Sequence, residues 1–140
     1  MSPGTEEEIR ALFARMRTIA VLGIKPESHS DQAAYYVPAY MARQGYEIIP
    51  VPVYYPDVTE ILGRPVFRSL AAIGRPIDLV NVFRRPKDLW GHLDDLLAAK
   101  PAAVWLQLGI RDDAFAARLR DAGMMVVQDR CLMVDHREQR

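Results

Sequence analysis

Thr18-Ile19-Ala20-Val21-Leu22-Gly23-Ile24-Lys25-Pro26, running on through Glu27-Ser28-His29-Ser30-Asp31, is the stretch on which the fold turns. A strand-sized apolar run meets a glycine, then one cation, then a polar cluster suited to opening a helix. A strand feeding a helix through such a turn points backbone N–H groups and a helix-dipole end at one spot, which suits a phosphate. Domains that bind nothing there share the geometry, so the rest of the chain must decide its meaning.

The same alternation recurs outward from this point. Residues 47–51, 77–83, 102–108 and 124–127 are apolar and strand-sized. Helices are expected between them. The first is capped by Ser30 or Asp31 and reaches about Gln44, with Gly45 as its stop. Pro38 inside it frees the carbonyl of Ala34 and should kink or divide it. A second runs over residues 86–99, with Pro86 near its first turn, and a third from Asp112 or Asp113 to about Gly123. A helix over residues 5–17 precedes them all, with Thr5 as cap, Glu8 completing a capping box, and an apolar stripe of Ile9, Leu12, Phe13 and Met16. Residues 52–63 read as a loop with a helical turn over 58–62. A short strand at 65–67 and a helical turn at 69–73 follow, and the tail from Asp129 to His136 is weakly strand-like.

Apolar strands alternating with helices imply a parallel sheet covered on both faces. Right-handed crossovers then leave an α/β, Rossmann-like, doubly wound and mainly parallel sheet as the leading topology. The expectation is a single domain over residues 1–140, with an N-terminal helix over 1–17 and a tail over 129–140.

Composition narrows the function. The 18 basic and 18 acidic residues cancel, leaving no electrostatic footprint for nucleic acid or an anionic membrane. No apolar run is long enough for a membrane span, and the acidic first residues do not read as a signal peptide. The single cysteine, Cys131, permits neither an intramolecular disulfide nor a cysteine zinc cluster, so a cytoplasmic location is expected. Fifteen of the basic residues are Arg, and Asn81 is the only Asn. That bias fits a thermostable protein and equally a G+C-rich genome.

In a doubly wound sheet, ligands sit beyond the carboxyl ends of the strands, where strand order reverses. The residues at those ends are Gly23-Ile24-Lys25, Pro50-Val51-Pro52, Val82-Phe83-Arg84-Arg85 and Gly109-Ile110. Lys25, Arg84 and Arg85 should therefore gather on one edge beside the glycine turn, and adjacent arginines present planar forks to phosphate oxygens. A solvated surface pair and a stray lysine are the plain alternative for each cation alone; their convergence carries the weight. NAD is disfavoured, because Gly23 stands without the further glycines of a dinucleotide fingerprint and residues 47–55 offer no terminal acid for a ribose diol. A nucleotide carrying extra phosphate fits better.

Ile19-Ala-Val-Leu-Gly23, Gly45-Tyr-Glu-Ile-Ile-Pro-Val51, Asp78-Leu-Val-Asn-Val-Phe-Arg-Arg-Pro86, Val104-Trp-Leu-Gln-Leu-Gly109 and Asp129-Arg-Cys131 occur in an order and spacing that resembles a known family. Over residues 17–134 the chain resembles the small stand-alone CoA-binding proteins, similar to the N-terminal CoA-binding domain of the succinyl-CoA synthetase α subunit. The resemblance implies coenzyme A or acyl-CoA as ligand. Gly23, Ile24 and Lys25 would approach the phosphates, and Pro50, Val51 and Pro52 would flank the nucleotide. Val82, Phe83, Arg84 and Arg85 would supply an apolar wall and cations, with Gly109 and Ile110 toward the pantetheine arm. The chain departs from the family where it carries Ile24 and Lys25 in place of a small residue and Ser, and Pro52-Val53 in place of Asn-Pro.

No complete catalytic constellation, Walker loop or metal-ligand cluster is legible. His92 and His136 read as surface histidines and Cys131 as an unreactive interior thiol. His29 beside the turn could donate to a phosphate. Tyr35, Tyr36, Tyr40, Trp90 and Trp105 read as packing residues. The expectation is a CoA-binding, sensing or carrier protein, with an unidentified protein partner left open. The alternatives are an acyl-CoA-handling enzyme using His29 or Cys131, and a structural subunit that kept the fold without the ligand.

Overall fold

The computed structural model describes residues 6–139; the cap expected at Thr5 lies outside them. Five strands, β1 (Thr18–Leu22), β2 (Glu47–Val51), β5 (Leu79–Val82), β6 (Ala103–Leu106) and β7 (Met125–Val127), form one parallel sheet. Its order is β2-β1-β5-β6-β7. The chain leaves β1 for one neighbour and later returns to its other side, so the order reverses between β1 and β5. The α/β doubly wound expectation is met.

The strands are buried on both faces, which is why they read as continuous apolar runs. Alternate residues serve two cores. Ala20, Leu22, Val80 and Val104 face a cluster completed by α3 (Leu93–Ala99) and α4 (Asp113–Asp121). Ile19, Val21, Leu79 and Trp105 face a second, completed by α1 (Glu6–Arg15), α2 (Ala33–Arg43) and α5 (Leu132–Gln139). At the amino edge, the Asp78 carboxylate accepts the backbone N–H groups of Arg17 (2.6 Å) and Thr18 (3.0 Å). Burial pushes the Asp78 carboxyl up, but these hydrogen bonds and the Arg17 charge outweigh it and hold it below the ordinary range.

Several local expectations are corrected. Neither Ser30 nor Asp31 caps α2: a 3₁₀ turn at Glu27–His29 intervenes, and the helix starts after Gln32 without a side-chain cap. Pro38 lies within α2 without dividing it. Residues 58–62 form no helical turn; β3 (Glu60–Ile61) and β4 (Arg64–Pro65) make an antiparallel hairpin. Leu62 and Gly63 between them both take positive φ (53° and 72°), as a tight two-residue turn of this hand requires. Ile61 anchors the hairpin, fully buried. The helix expected over 86–99 begins as a 3₁₀ stretch at Pro86–His92 before α3.

The tail is helical. Leu132, Asp135 and His136 fall on one buried face at helical spacing. Arg130 grips the Asp135 carboxylate through Nε (2.8 Å) and a terminal nitrogen (2.6 Å), and reaches Glu6 on α1 at 2.7 Å. This ion-pair cluster ties the tail to the start of α1, a tertiary bond that strand propensity alone does not reveal.

Candidate functional site

Gly23 leaves β1 with φ +89°, and its N–H donates to the Val51 carbonyl at 2.9 Å. A Cβ at this position would stand 2.3 Å from the carbonyl oxygen of Phe83. The ends of β1 and β5 therefore meet only because residue 23 has no side chain. Ile24 then turns inward and is buried among the α1, α2 and α5 side chains. Lys25 donates its backbone N–H to Ala34 (3.1 Å) and its Nζ to Gln32 Oε1. The N–H groups of Ala33 and Ala34, in the first turn of α2, have no protein acceptor among the described residues. They leave the positive end of the helix beside Lys25.

Arg84 follows β5 and is held on three sides. Its Nε–H donates to His92 Nε2 at 3.0 Å, its guanidinium lies 5.5 Å from the Tyr54 ring centroid, and Asp88 sits 3.7 Å away. This is the arrangement of a cation kept in place, with the Tyr54 ring face favouring its charge. Arg85 donates to the same Asp88 at 2.9 Å while its own side chain stays mostly in solvent. The Arg85 hydrogen bond, with burial opposing it and the charges of Arg85, Arg84 and Lys87 adding to it, holds the Asp88 carboxyl below its usual range. The Arg84 hydrogen bond and charge likewise lower the Tyr54 phenol.

Two clefts open at this edge, of about 300 and 420 Å³. Gly23, Lys25, Phe83, Arg84 and Arg85 line both, making one groove across the strand-order reversal. One arm is walled by Val53, Tyr54 and Tyr55, the other by the start of α2 and by residues 107–110. Gly109 takes φ +85° and donates its N–H to Asp129 Oδ1 at 2.6 Å, which fixes that wall. Arg68 fixes the opposite one, its guanidinium donating to the carbonyls of Tyr54, Tyr55, Pro56 and Val58 at 2.6–3.4 Å.

Of the residues read from sequence, Gly23, Ile24, Lys25, Phe83, Arg84, Arg85, Gly109 and Ile110 come together along the groove. Pro50, Val51, Pro52 and Val82 are buried and line neither cleft, whereas the next three residues, 53–55, line one of them. His92 is not a loose surface histidine: it is half-buried and accepts from Arg84. His136 is only 9% exposed, lies 2.9 Å from the Tyr40 hydroxyl and lines neither cleft. His29 and Cys131 line neither cleft, and Cys131 is half-buried against the second core. Among the described residues, no group of three or more His, Cys, Asp or Glu side chains is placed to hold a metal ion.

Residues 17–137 match the CoA binding domain family. The chain belongs to this family. It is 35% identical over 136 residues to the uncharacterized protein YneT of Bacillus subtilis, covering 97% of each. A solved structure from Thermus thermophilus shares 40% identity with a TM-score of 0.88, over 97% of this chain and 99% of that one. An acetyl-coenzyme A synthetase from Ca. Korarchaeum cryptofilum superposes with a TM-score of 0.66 at 15% identity, over 79% of this chain and 25% of its own, and shows the fold alone. In this CoA binding domain, the Ile24-Lys25 pair divides its work: Ile24 packs the core, and Lys25 joins the turn to α2.

Proposed function

We propose that the protein binds coenzyme A or an acyl-CoA in the groove between the ends of β1 and β5, as a binding, sensing or carrier protein. The observation that carries this reading is the convergence of Lys25, Arg84 and Arg85 on the Gly23 turn, with the amides that open α2 on the same wall. Cations and oriented N–H groups suit the phosphates. The Tyr54 and Tyr55 arm suits a base and ribose, since an aromatic face accepts a purine without needing a carboxylate for the ribose diol. The opposite arm, lined by Phe83, Leu108 and Ile110, suits the pantetheine chain.

Calorimetric titration with CoA, dephospho-CoA and NAD tests the reading. CoA should bind most tightly, dephospho-CoA more weakly for want of one phosphate, and NAD scarcely. Absence of CoA binding, or equal affinity for NAD, would overturn it.

A further inference from the structure

Two side-chain amides are buried at the carboxyl end of the sheet. Asn81 on β5 is 0% exposed, and Gln107, just past β6, is 4% exposed. The Leu132 backbone N–H reaches Gln107 Oε1 at 3.3 Å. A backbone N–H can only donate, so this contact fixes which end of the Gln107 amide is oxygen. The same oxygen accepts from Asn81 Nδ2 at 3.2 Å, and Asn81 Nδ2 also lies 3.5 Å from the Trp105 carbonyl. The orientation of one amide thus dictates the other.

Two polar atoms are left over. Asn81 Oδ1 is buried without a hydrogen-bond partner among the described residues. Gln107 Nε2 has no protein acceptor among them either, and Gln107 lines the arm of the groove bounded by Phe83, Leu108 and Gly109. A buried acceptor without a partner costs stability, whereas an apolar pair of the same shape here would cost little. The pair is therefore poorly explained by packing and well explained by what it presents. It presents one amide NH2 group, its oxygen held by Asn81 and Leu132, in an arm of the groove that also carries the apolar side chains of Phe83, Leu108 and Ile110.

We infer that Gln107 is a specificity-determining residue whose Nε2 donates to a carbonyl of the pantetheine arm, with Asn81 as the positioning residue that orients it. This rests on the CoA reading above. It adds that the protein recognises the arm by an amide or thioester carbonyl, and not only the nucleotide by its phosphates. A ligand that ends at the nucleotide makes no use of this donor.

The test compares CoA with adenosine 3′,5′-bisphosphate, which keeps the adenosine, the 3′-phosphate and the first 5′-phosphate and lacks the second 5′-phosphate and the arm. Gln107→Met removes the donor. Gln107→Glu keeps the oxygen that accepts from Leu132 and Asn81 and removes the donor while ionised. In both variants CoA affinity should fall about tenfold relative to wild type, while bisphosphate affinity stays within about threefold. For Gln107→Glu the CoA deficit, measured against wild type at each pH, should shrink on acidification as the buried carboxyl protonates and regains a donor. Equal losses for both ligands, or no loss of CoA affinity in Gln107→Glu at neutral pH, would overturn the assignment while leaving CoA binding intact. If the wild-type protein binds neither ligand, the CoA reading fails and the assignment with it.

Discussion

The backbone N–H of Lys25 donates to the carbonyl of Ala34 at 3.1 Å, the carbonyl that Pro38 releases from the hydrogen-bond ladder of α2. A proline inside a helix normally costs an unpaired carbonyl. Here that carbonyl becomes the anchor of the turn after β1. The same bond sets the distance between Lys25 and the amides of Ala33 and Ala34, so helix and turn form one rigid wall of the groove.

Pro38→Ala should separate the two roles. An N–H at residue 38 returns to Ala34 and competes with Lys25, while helix propensity improves. The melting temperature should hold or rise, and CoA affinity should drop about two- to tenfold. Paired thermal melts and titrations check this, and unchanged affinity would show that the anchor is dispensable.

Gly23→Ala should be severe. The backbone lies at φ +89°, where a non-glycine residue costs about 1–3 kcal/mol. The added Cβ also collides with the Phe83 carbonyl at 2.3 Å. Denaturant unfolding should show a loss at or beyond the top of that range, together with loss of CoA binding. A stability close to wild type would mean that β1 and β5 can part without consequence.

Acidification should weaken the fold through His92. Burial, then the Arg84 charge, holds its imidazole below the ordinary value, with Asp95 and Asp88 opposing. The folded state thus favours the neutral ring that accepts from Arg84, and the unfolded chain takes up a proton more readily. This stabilisation is complete above the unfolded value of about 6.5 and is lost as pH falls below that value through the folded one. His92→Gln keeps an acceptor and cannot titrate. Urea unfolding at about pH 7.5 and pH 5 should show wild type losing more stability than the variant; parallel losses would remove His92 from the explanation.

Arg68→Met should leave the sheet intact and loosen the Tyr54–Tyr55 wall, because Arg68 is exposed and spans four carbonyls of residues 54–58. CoA affinity should fall about tenfold with little change in melting temperature. Wild-type affinity would show that the loop holds its shape without the clamp.

The sheet was legible because its strands are buried on both faces, and apolar runs such as Thr18–Leu22 and Leu79–Val82 can hardly be anything else. The cationic edge was legible for a related reason: strand ends fix where Lys25, Arg84 and Arg85 must emerge. What escaped depends on contacts between residues distant in sequence. The helical tail is secured by Arg130, Asp135 and Glu6, and the hairpin at residues 60–65 by Ile61 in the core and a positive φ at Leu62. The aromatic wall was missed by three residues, since Pro50 to Pro52 turn inward before the Tyr54-Tyr55 pair emerges. That pair, directly after a strand end and flanked by prolines, was the available signal.

The most direct test of CoA binding in the Gly23 groove is a CoA titration of the wild type beside Lys25→Met, Arg84→Met and Arg85→Met combined in one chain. A 1:1 complex with wild type and an affinity at least about tenfold lower in the combined variant is the expected result. CoA binding of equal strength to both, or to neither, would contradict it.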